Sequence, residues 1–530
     1  MPETRFDDLV IGAGMAGLTV GALLAAEGRR VLVIEAHDTP GGYAHTFSAG
    51  KYRFCAQVHY IFHCGEGEPV HELLRRLDLD ESVRFHRLDP EGFDHVVVAG
   101  DRYRIPNGLE KFRDRLIRRF PEGERPIRRY FRTIIALGRE LDLLPAKVGW
   151  RDVVTAPVRF PNLLRHRTST LQRLFDDLRM PARLQTVLAG QAGDYLLPPA
   201  EVSLLLHVAL VRAYDRGAYY PRKHFQHFIG EVAGTIANRP GCSLLLNTEV
   251  ERIVVERGRV VGVRTRGGET LTAERYISNV DPRRTAALIG ERALPSDYLT
   301  KLAYDYSSGT ITLYLGVRGL DLRDHGFGSH NVWHYPHDDI NAIYRRQRTL
   351  GDLDDPWLFM STPTLHTDEP GLCPRGEQIL EIATSAPYRP MKELRDADRR
   401  AYNHEKKKVR DRILQIVEER YVPDLQRHLA LRVMGTPVTN ERYCWAPEGN
   451  AYGAALTPRN VGLSRVPFET PLANLWLANA TAGFPSIGGT VKAGMELFAK
   501  LQGADVRAPV RGSRPVASPA SSVQAAGGAR

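Results

Sequence analysis

Gly12, Gly14 and Gly17 follow a short apolar run at 9–11 and precede an apolar stretch that ends at Gly28. Glycines at this spacing do one job well. Gly12 permits a tight turn, Gly14 lets backbone approach a pyrophosphate, and Gly17 lets helix and strand pack closely. Glu35 lies about twenty residues past the turn, where an acid holds ribose hydroxyls. Nicotinamide-type motifs usually stop at that acid. Here a second pair, Gly41 and Gly42, follows it in Thr-Pro-Gly-Gly. The pair reads either as a plain surface turn or as a second close backbone approach suited to a longer dinucleotide. A third pair, Gly488 and Gly489, opens a helical stretch near the other end of the chain and favours the second reading. The chemistry implied is that of a flavin dinucleotide, FAD.

These residues work only if elements hold them. Residues 9–11 and 31–34 predict buried strands, with a helix over 18–27 between them, so the helix dipole and its free N–H groups face the phosphates. Residues 475–478 predict another strand, 485–489 a turn and 490–500 an amphipathic helix. The start of that helix can face a flavin ring and stabilise negative charge on its reduced form. Sites at opposite ends of the chain require a fold that joins them.

The bulk properties fit a soluble globular protein: 530 residues, 43% hydrophobic and 25% charged. Such a length predicts interleaved domains rather than one core. Cys55, Cys64, Cys242, Cys373 and Cys444 lack CxxC spacing, which argues against a zinc site or a disulfide framework and fits a reducing compartment. No metal site is expected. No stretch reads as a membrane span, and the opening MPETRFDD lacks a signal-peptide pattern, so a cytoplasmic location is expected. The net charge of +10 concentrates between Lys111 and Arg173, interleaved with Phe112, Phe120, Tyr130, Phe131, Trp150 and Phe160. That region reads equally as a solvated helical face or as a surface that meets the inner face of a membrane peripherally. Nucleic acid is not expected as a partner, because no nucleic-acid motif accompanies the charge.

Along the chain, residues 70–220 read mostly as helices. Residues 225–237 predict a helix, and 243–278 several short strands with turns at Arg257–Gly258 and Gly267–Gly268. Strands are expected at 310–317 and 378–384, and a long polar helix at 399–420. The fold class is α/β: a Rossmann-like FAD-binding domain of two-dinucleotide-binding type, interleaved with a mixed α+β substrate domain and a helical, membrane-facing or solvated, region. The expected divisions are 1–70 (FAD-binding, first part), 71–220 (helical), 221–290 (FAD-binding, second part), 291–470 (substrate-binding), 471–505 (FAD-binding, last part) and 506–530 (disordered tail).

Several blocks resemble the superfamily of FAD-dependent phytoene desaturases, carotenoid isomerases and retinol saturases. They are HTFSAGKYRFCAQVHYIF (45–62), QAGDYLLPPAEVS (191–203), NTEVERIVVERGRVVGV (247–263), YISNVDP (276–282), STPTLHTDEPGLCPRGEQ (361–378), TPVTNERYCWAPEGNAYG (436–453) and the closing Gly-Gly helix. The His59–Tyr60 pair matches the isomerase and saturase members rather than the true desaturases. The resemblance implies that Gly12, Gly14 and Gly17 cradle the pyrophosphate and Glu35 the adenosine ribose. It implies that Gly41 and Gly42 approach the flavin side, that Val250 binds adenine through its backbone, and that Gly488 and Gly489 sit by the pyrimidine end of the ring. It makes His59 and Tyr60 the candidate catalytic residues, beside a tunnel for a lipophilic substrate. The implied activity is isomerisation, saturation or desaturation of C=C bonds in a carotenoid- or retinoid-like polyene. A flavin oxidase for another substrate such as an amine, or a non-catalytic flavin-bound partner protein, are the alternatives; the electron donor or acceptor stays open. Cys55 and Gln57 replace the family's usual Asp and Gly, Arg222–Lys223–His224 follow Tyr220–Pro221 where two glycines are usual, and Asn479 departs in the last motif. Glu441, Arg442 and Tyr443 either line the pocket or stabilise a turn.

Overall fold

A computed structural model of the chain describes residues 6–145, 149–349 and 351–503. The expected disordered tail, 506–530, lies outside the described residues. A parallel five-stranded sheet forms around Phe6–Ile11, which pairs with Val31–Ile34 on one side and Ala273–Ser278 on the other. Ser243–Leu245 and Leu475–Leu477 complete its edges. The central strands are apolar on both faces because both faces are covered. Met15–Ala26, buried at every position through Ala25, lies on one face and packs against His224–Ala237 and Ile487–Leu501. On the other face the meander Val250–Glu256, Arg259–Thr265 and Thr270–Leu271 packs Ile253, Val260 and Val263 against Leu9, Ile11 and Leu32. This topology brings the first and last described segments of the chain side by side.

The second layer is a seven-stranded mixed sheet. Its order is Leu429–Gly435, Gly309–Arg318, Glu377–Ala386, Leu358–Ser361, Asn331–Tyr335, Asp94–Val98 and Asp101–Ile105. Only Asn331–Tyr335 and Asp94–Val98 run parallel; every other neighbouring pair is antiparallel. The helix Arg399–Arg420 has the bounds expected from sequence, set at its start by Asp398, whose side chain accepts the N–H groups of Arg400 and Ala401. It packs Val409, Ile413 and Val417 on one face of the sheet. Helices between Leu109 and Arg216 cover the aromatic side chains of the other.

Within 71–220, read mostly as helices, the structure also holds strands. Residues 94–105 form a hairpin that extends the mixed sheet, and Phe85–Arg87 pairs with Tyr219–Pro221. The hairpin turn is two residues long, Ala99 and Gly100, both at positive φ. Such turns match strand twist, and the alternating exposure of 101–105 fits a half-buried strand.

Candidate active site

The first glycine turn is a cradle with no room for a side chain. A Cβ on Gly17 would lie 2.5 Å from the Gly12 carbonyl oxygen, and one on Gly14 would lie 2.4 Å from Asn279 Oδ1. Gly14 caps the following helix without a side-chain hydrogen bond, and the first turn carries no acid. Its N–H groups and positive dipole end are therefore available to an anion. Gly41 N donates to Ala13 O at 2.8 Å, which lays the second glycine pair against the first turn. Gly41 (φ 118°) and Gly42 (φ 57°) hold conformations that L residues rarely adopt. The Glu35 carboxylate is fixed by the N–H groups of Ala13 (2.7 Å) and His37 (2.9 Å). Glu35 also ties the segment leading to Val250, its N–H donating to Leu245 O and its carbonyl accepting from Thr248 N. Val250 itself is buried in the same cluster as Ile11 and Ile34.

Gly488 and Gly489 fall inside the first turn of Ile487–Leu501, which starts earlier than expected and is capped by Ser486 Oγ accepting Gly489 N. A Cβ on Gly488 would lie 2.9 Å from Phe62 O and 3.0 Å from His63 Nδ1, and one on Gly489 2.7 Å from Phe484 O. Close packing thus demands both glycines whatever the helix faces. His63 was not singled out by sequence. Its Nδ1 is buried without a partner, and burial holds the imidazole down to about 4, so it is neutral at physiological pH.

A cavity of about 240 Å³ adjoins this helix start. One wall is apolar, from Leu206, Leu210 and Ala213 on Leu204–Arg216. The facing wall is aromatic, from Trp333, Trp357 and Phe359 on and beside the mixed sheet. Gly489, Ser486, Lys492 and His63 line one part of it. His59 and Tyr60 both reach it, as do Gln57 and Asp194. The expected tunnel between helical and sheet regions is where the cavity lies.

Both candidate catalytic side chains have acidic partners that sequence reasoning missed. His59 Nδ1 is 2.6 Å from Glu381 Oε2, and Glu381 is buried in the Glu377–Ala386 strand with Oε1 unpartnered. Burial raises the Glu381 carboxyl, against the pull of His59. Tyr60 Oη lies 3.0 Å from Asp94 Oδ2 and 2.8 Å from Asp194 Oδ2. Burial pushes Asp94 up to about 7. It pushes Asp194 up to about 8, with the Asp94 charge adding to it. The sequence held one signal for these acids: each interrupts an apolar run, as in FDHVVV and QAGDYLL.

The departures resolve locally. Gln57 Nε2 donates to Thr312, Tyr314 and Asn440, while its Oε1 accepts from Thr310. Cys55 is fully buried, which pushes its thiol upward and leaves it inert. His224 starts the helix His224–Ala237 at positive φ. Asn479 caps its own turn by accepting from the N–H groups of Thr481 and Ala482. Glu441 accepts from Tyr388 Oη at 2.6 Å, and Arg442 lies over the Tyr443 ring; neither of them nor Tyr443 lines the cavity. Asn279, missed within YISNVDP, accepts Gly14 N at 2.9 Å and donates to Ala478 O, joining the two nucleotide-type ends. Among the described residues, no group of three His, Cys, Asp or Glu is arranged to hold a metal.

An uncapped helix start, a glycine cradle, a fixed carboxylate at the next strand end and an unpaired imidazole beside a second helix start together fit FAD. They define a flavin-dependent oxidoreductase of mixed α/β fold. Residues 15–335, more than half the chain, match the family of flavin containing amine oxidoreductases, and the chain belongs to that family, with FAD as its cofactor. It is 26% identical to the all-trans-retinol 13,14-reductase of Danio rerio, over 90% of this chain and 82% of that protein. It is 24% identical to prolycopene isomerase 2, chloroplastic, of an Oncidium hybrid cultivar, over 91% and 81%. The fold is shared with the solved cyclohexylamine oxidase of Brevibacterium oxydans: TM-score 0.59 and 18% identity, over 94% of this chain and 100% of that one.

Proposed function

We propose that this protein acts on the C=C bonds of a lipophilic polyene, carotenoid- or retinoid-like, by isomerisation, saturation or desaturation. The observation that carries the reading is the apolar, aromatic-walled cavity beside the Ile487–Leu501 helix start. A rigid polyene gains by burial against such walls and offers nothing that needs a charged anchor. The relatives named retinol reductase and prolycopene isomerase support the same substrate class.

Bound FAD supplies hydride or electron chemistry. Gly12, Gly14 and Gly17 would take its pyrophosphate, Glu35 its ribose, and Val250 its adenine. Gly41, Gly42, Gly488 and Gly489 would approach the flavin side. His59 and Tyr60 would present polar groups to the substrate, with Glu381 orienting His59. The FAD-binding unit would be built from 1–70, 221–290 and 471–505, which supply the parallel sheet, and the substrate unit from 71–220 and 291–470. A peripheral contact with a membrane, on its inner face, would deliver the lipophilic substrate. Trp150, Val153, Val154 and Val158 support that contact by standing exposed on one helix of the basic region. Among the described residues no helix is long and apolar enough to cross a membrane.

The test is anaerobic incubation with a panel of retinoids and carotenoids, flavin oxidised and then dithionite-reduced, followed by chromatography. A changed polyene is expected in at least one redox state. Inertness to all of them, with peroxide released from amines in air, would replace the reading with that of an amine oxidase.

A further inference from the structure

Two carboxyl groups point at one phenol. A phenol has a single proton to donate. With both Asp94 and Asp194 ionised, one of the two contacts to Tyr60 Oη would set lone pair against lone pair inside a buried site. The arrangement therefore needs one more proton than Tyr60 supplies.

The hydrogen-bond partners decide where it sits. Asp94 Oδ2 accepts Gln191 Nε2 at 2.7 Å, and Asp94 Oδ1 accepts Asn331 Nδ2 at 3.0 Å. Donors that favour a charge converge on Asp94, and Tyr60 completes them. Asp194 faces Tyr60 and a second phenol, Tyr214. It also lines the cavity, whereas Asp94 stands behind Tyr60. The direction that satisfies every group runs from the Asp194 O–H to Tyr60, and from the Tyr60 O–H to the Asp94 carboxylate.

We infer that Asp194 carries a proton at neutral pH, kept there by burial and the neighbouring Asp94 charge, and delivers it to a carbon of the double bond bound in the cavity. The inference rests on the polyene reading above. In saturation the π bond breaks as one carbon takes a hydride, its electron pair drawn from reduced FAD, and the other takes the Asp194 proton. FAD is left oxidised and Asp194 ionised, and a proton from solvent restores the trio. Asp94 acts through Tyr60 and is a positioning residue.

Infrared difference spectra of the oxidised holoprotein at pH 7, wild type against Asp194→Asn, read the proton directly. A carboxylic-acid C=O band that moves in D2O and vanishes in the variant is expected. Asp94→Asn removes the charge that opposes ionisation of Asp194, so the band should then be lost at a lower pH. An Asn amide at 194 can still donate to Tyr60, so flavin content and spectrum should be unchanged. With dithionite-reduced enzyme and all-trans-retinol, Asp194→Asn should slow product formation about a hundredfold or more. Wild type in D2O should place two solvent deuteriums in the product, one from Asp194 and one through the exchangeable N5 hydrogen of reduced flavin. Absence of the band at pH 7, or an Asp194→Asn variant within a few-fold of wild type, overturns the inference. A wild-type band with no turnover of any retinoid or carotenoid overturns the polyene reading, and the delivery step with it, while the protonation of Asp194 stands.

Discussion

Asp194 ties stability to pH in a direction opposite to an ordinary salt-bridged acid. Its folded pKa, about 8, lies above the ordinary 3.8, with burial the main cause. Below 3.8 folded and unfolded chains both hold the proton and folding loses nothing. Between 3.8 and 8 the unfolded chain ionises and the buried group does not, so stability falls as pH rises. The slope is at most about 1.4 kcal/mol per pH unit for one proton. Asp194→Asn lacks this loss, and its melting temperature should gain on wild type steadily from about pH 4 to pH 8. Parallel melting curves across that window would mean that Asp194 is ionised in the native state. The enzyme's own rate should fall as pH rises through about 8, where the proton is lost. Gly17 sets a second residue-scale expectation. With the Gly12 carbonyl only 2.5 Å from a would-be Cβ, Gly17→Ala must push the turn open. Overpacking of this kind costs about 1–3 kcal/mol, and FAD content should drop about tenfold or more. Gly230→Ala, where a Cβ meets nothing within 4 Å, is the matched control and should keep its FAD. Equal flavin content in both variants would remove Gly17 from the cradle.

At the scale of elements, what sequence could show depended on whether local pattern or distant packing decides. The nucleotide strands were legible because parallel strands buried on both faces read as unbroken apolar runs, and Arg399–Arg420 because Asp398 caps it. The 94–105 hairpin was not, since Ala99 carries no turn signal and the helix Leu109–Arg119 follows within a few residues. Trp150 and Phe160 looked equivalent in sequence. Phe160 is buried, while Trp150 is 73% exposed. The partners of His59 and Tyr60 lie 34 to 322 positions away, beyond any local pattern. The helix Trp150–Arg159 buries none of its residues, and Val158 is 86% exposed. Arg151 and Arg159 flank its valines, which suits an anionic lipid surface. Fully burying one valine contributes about 1.5–3 kcal/mol. Val153→Asp with Val158→Asp should therefore weaken sedimentation with phosphatidylserine-containing vesicles about tenfold or more. Flavin content should not change. Undiminished vesicle binding would assign the exposed valines elsewhere.

For the whole molecule, the nucleotide sheet is closed by segments far apart in the chain. Phe6–Ile11 is central, Leu475–Leu477 forms an edge, and Asn279 bonds to Gly14 of one end and Ala478 of the other. A ligand spanning the Gly14 and Gly489 helix starts would hold the first and last parts of the sheet together, so its binding energy should appear as stability of the whole fold. For a ligand that binds only the folded state, the gain is RT ln(1 + [L]/Kd), about 2.7 kcal/mol at a hundredfold excess over Kd. Apoprotein prepared by mild acid and salt should melt lower than holoprotein, and its melting temperature should climb with the logarithm of added FAD. On the proposed site assignment ADP would reach the first glycine turn and Glu35 but not the carboxy-terminal helix, so it should recover only part of the shift. Hydrogen exchange should locate the difference: FAD should protect residues 487–501 as well as 12–26, and ADP only the latter. If ADP and FAD raise the melting temperature equally and protect the same segments, the Ile487–Leu501 helix does not contribute to the flavin site.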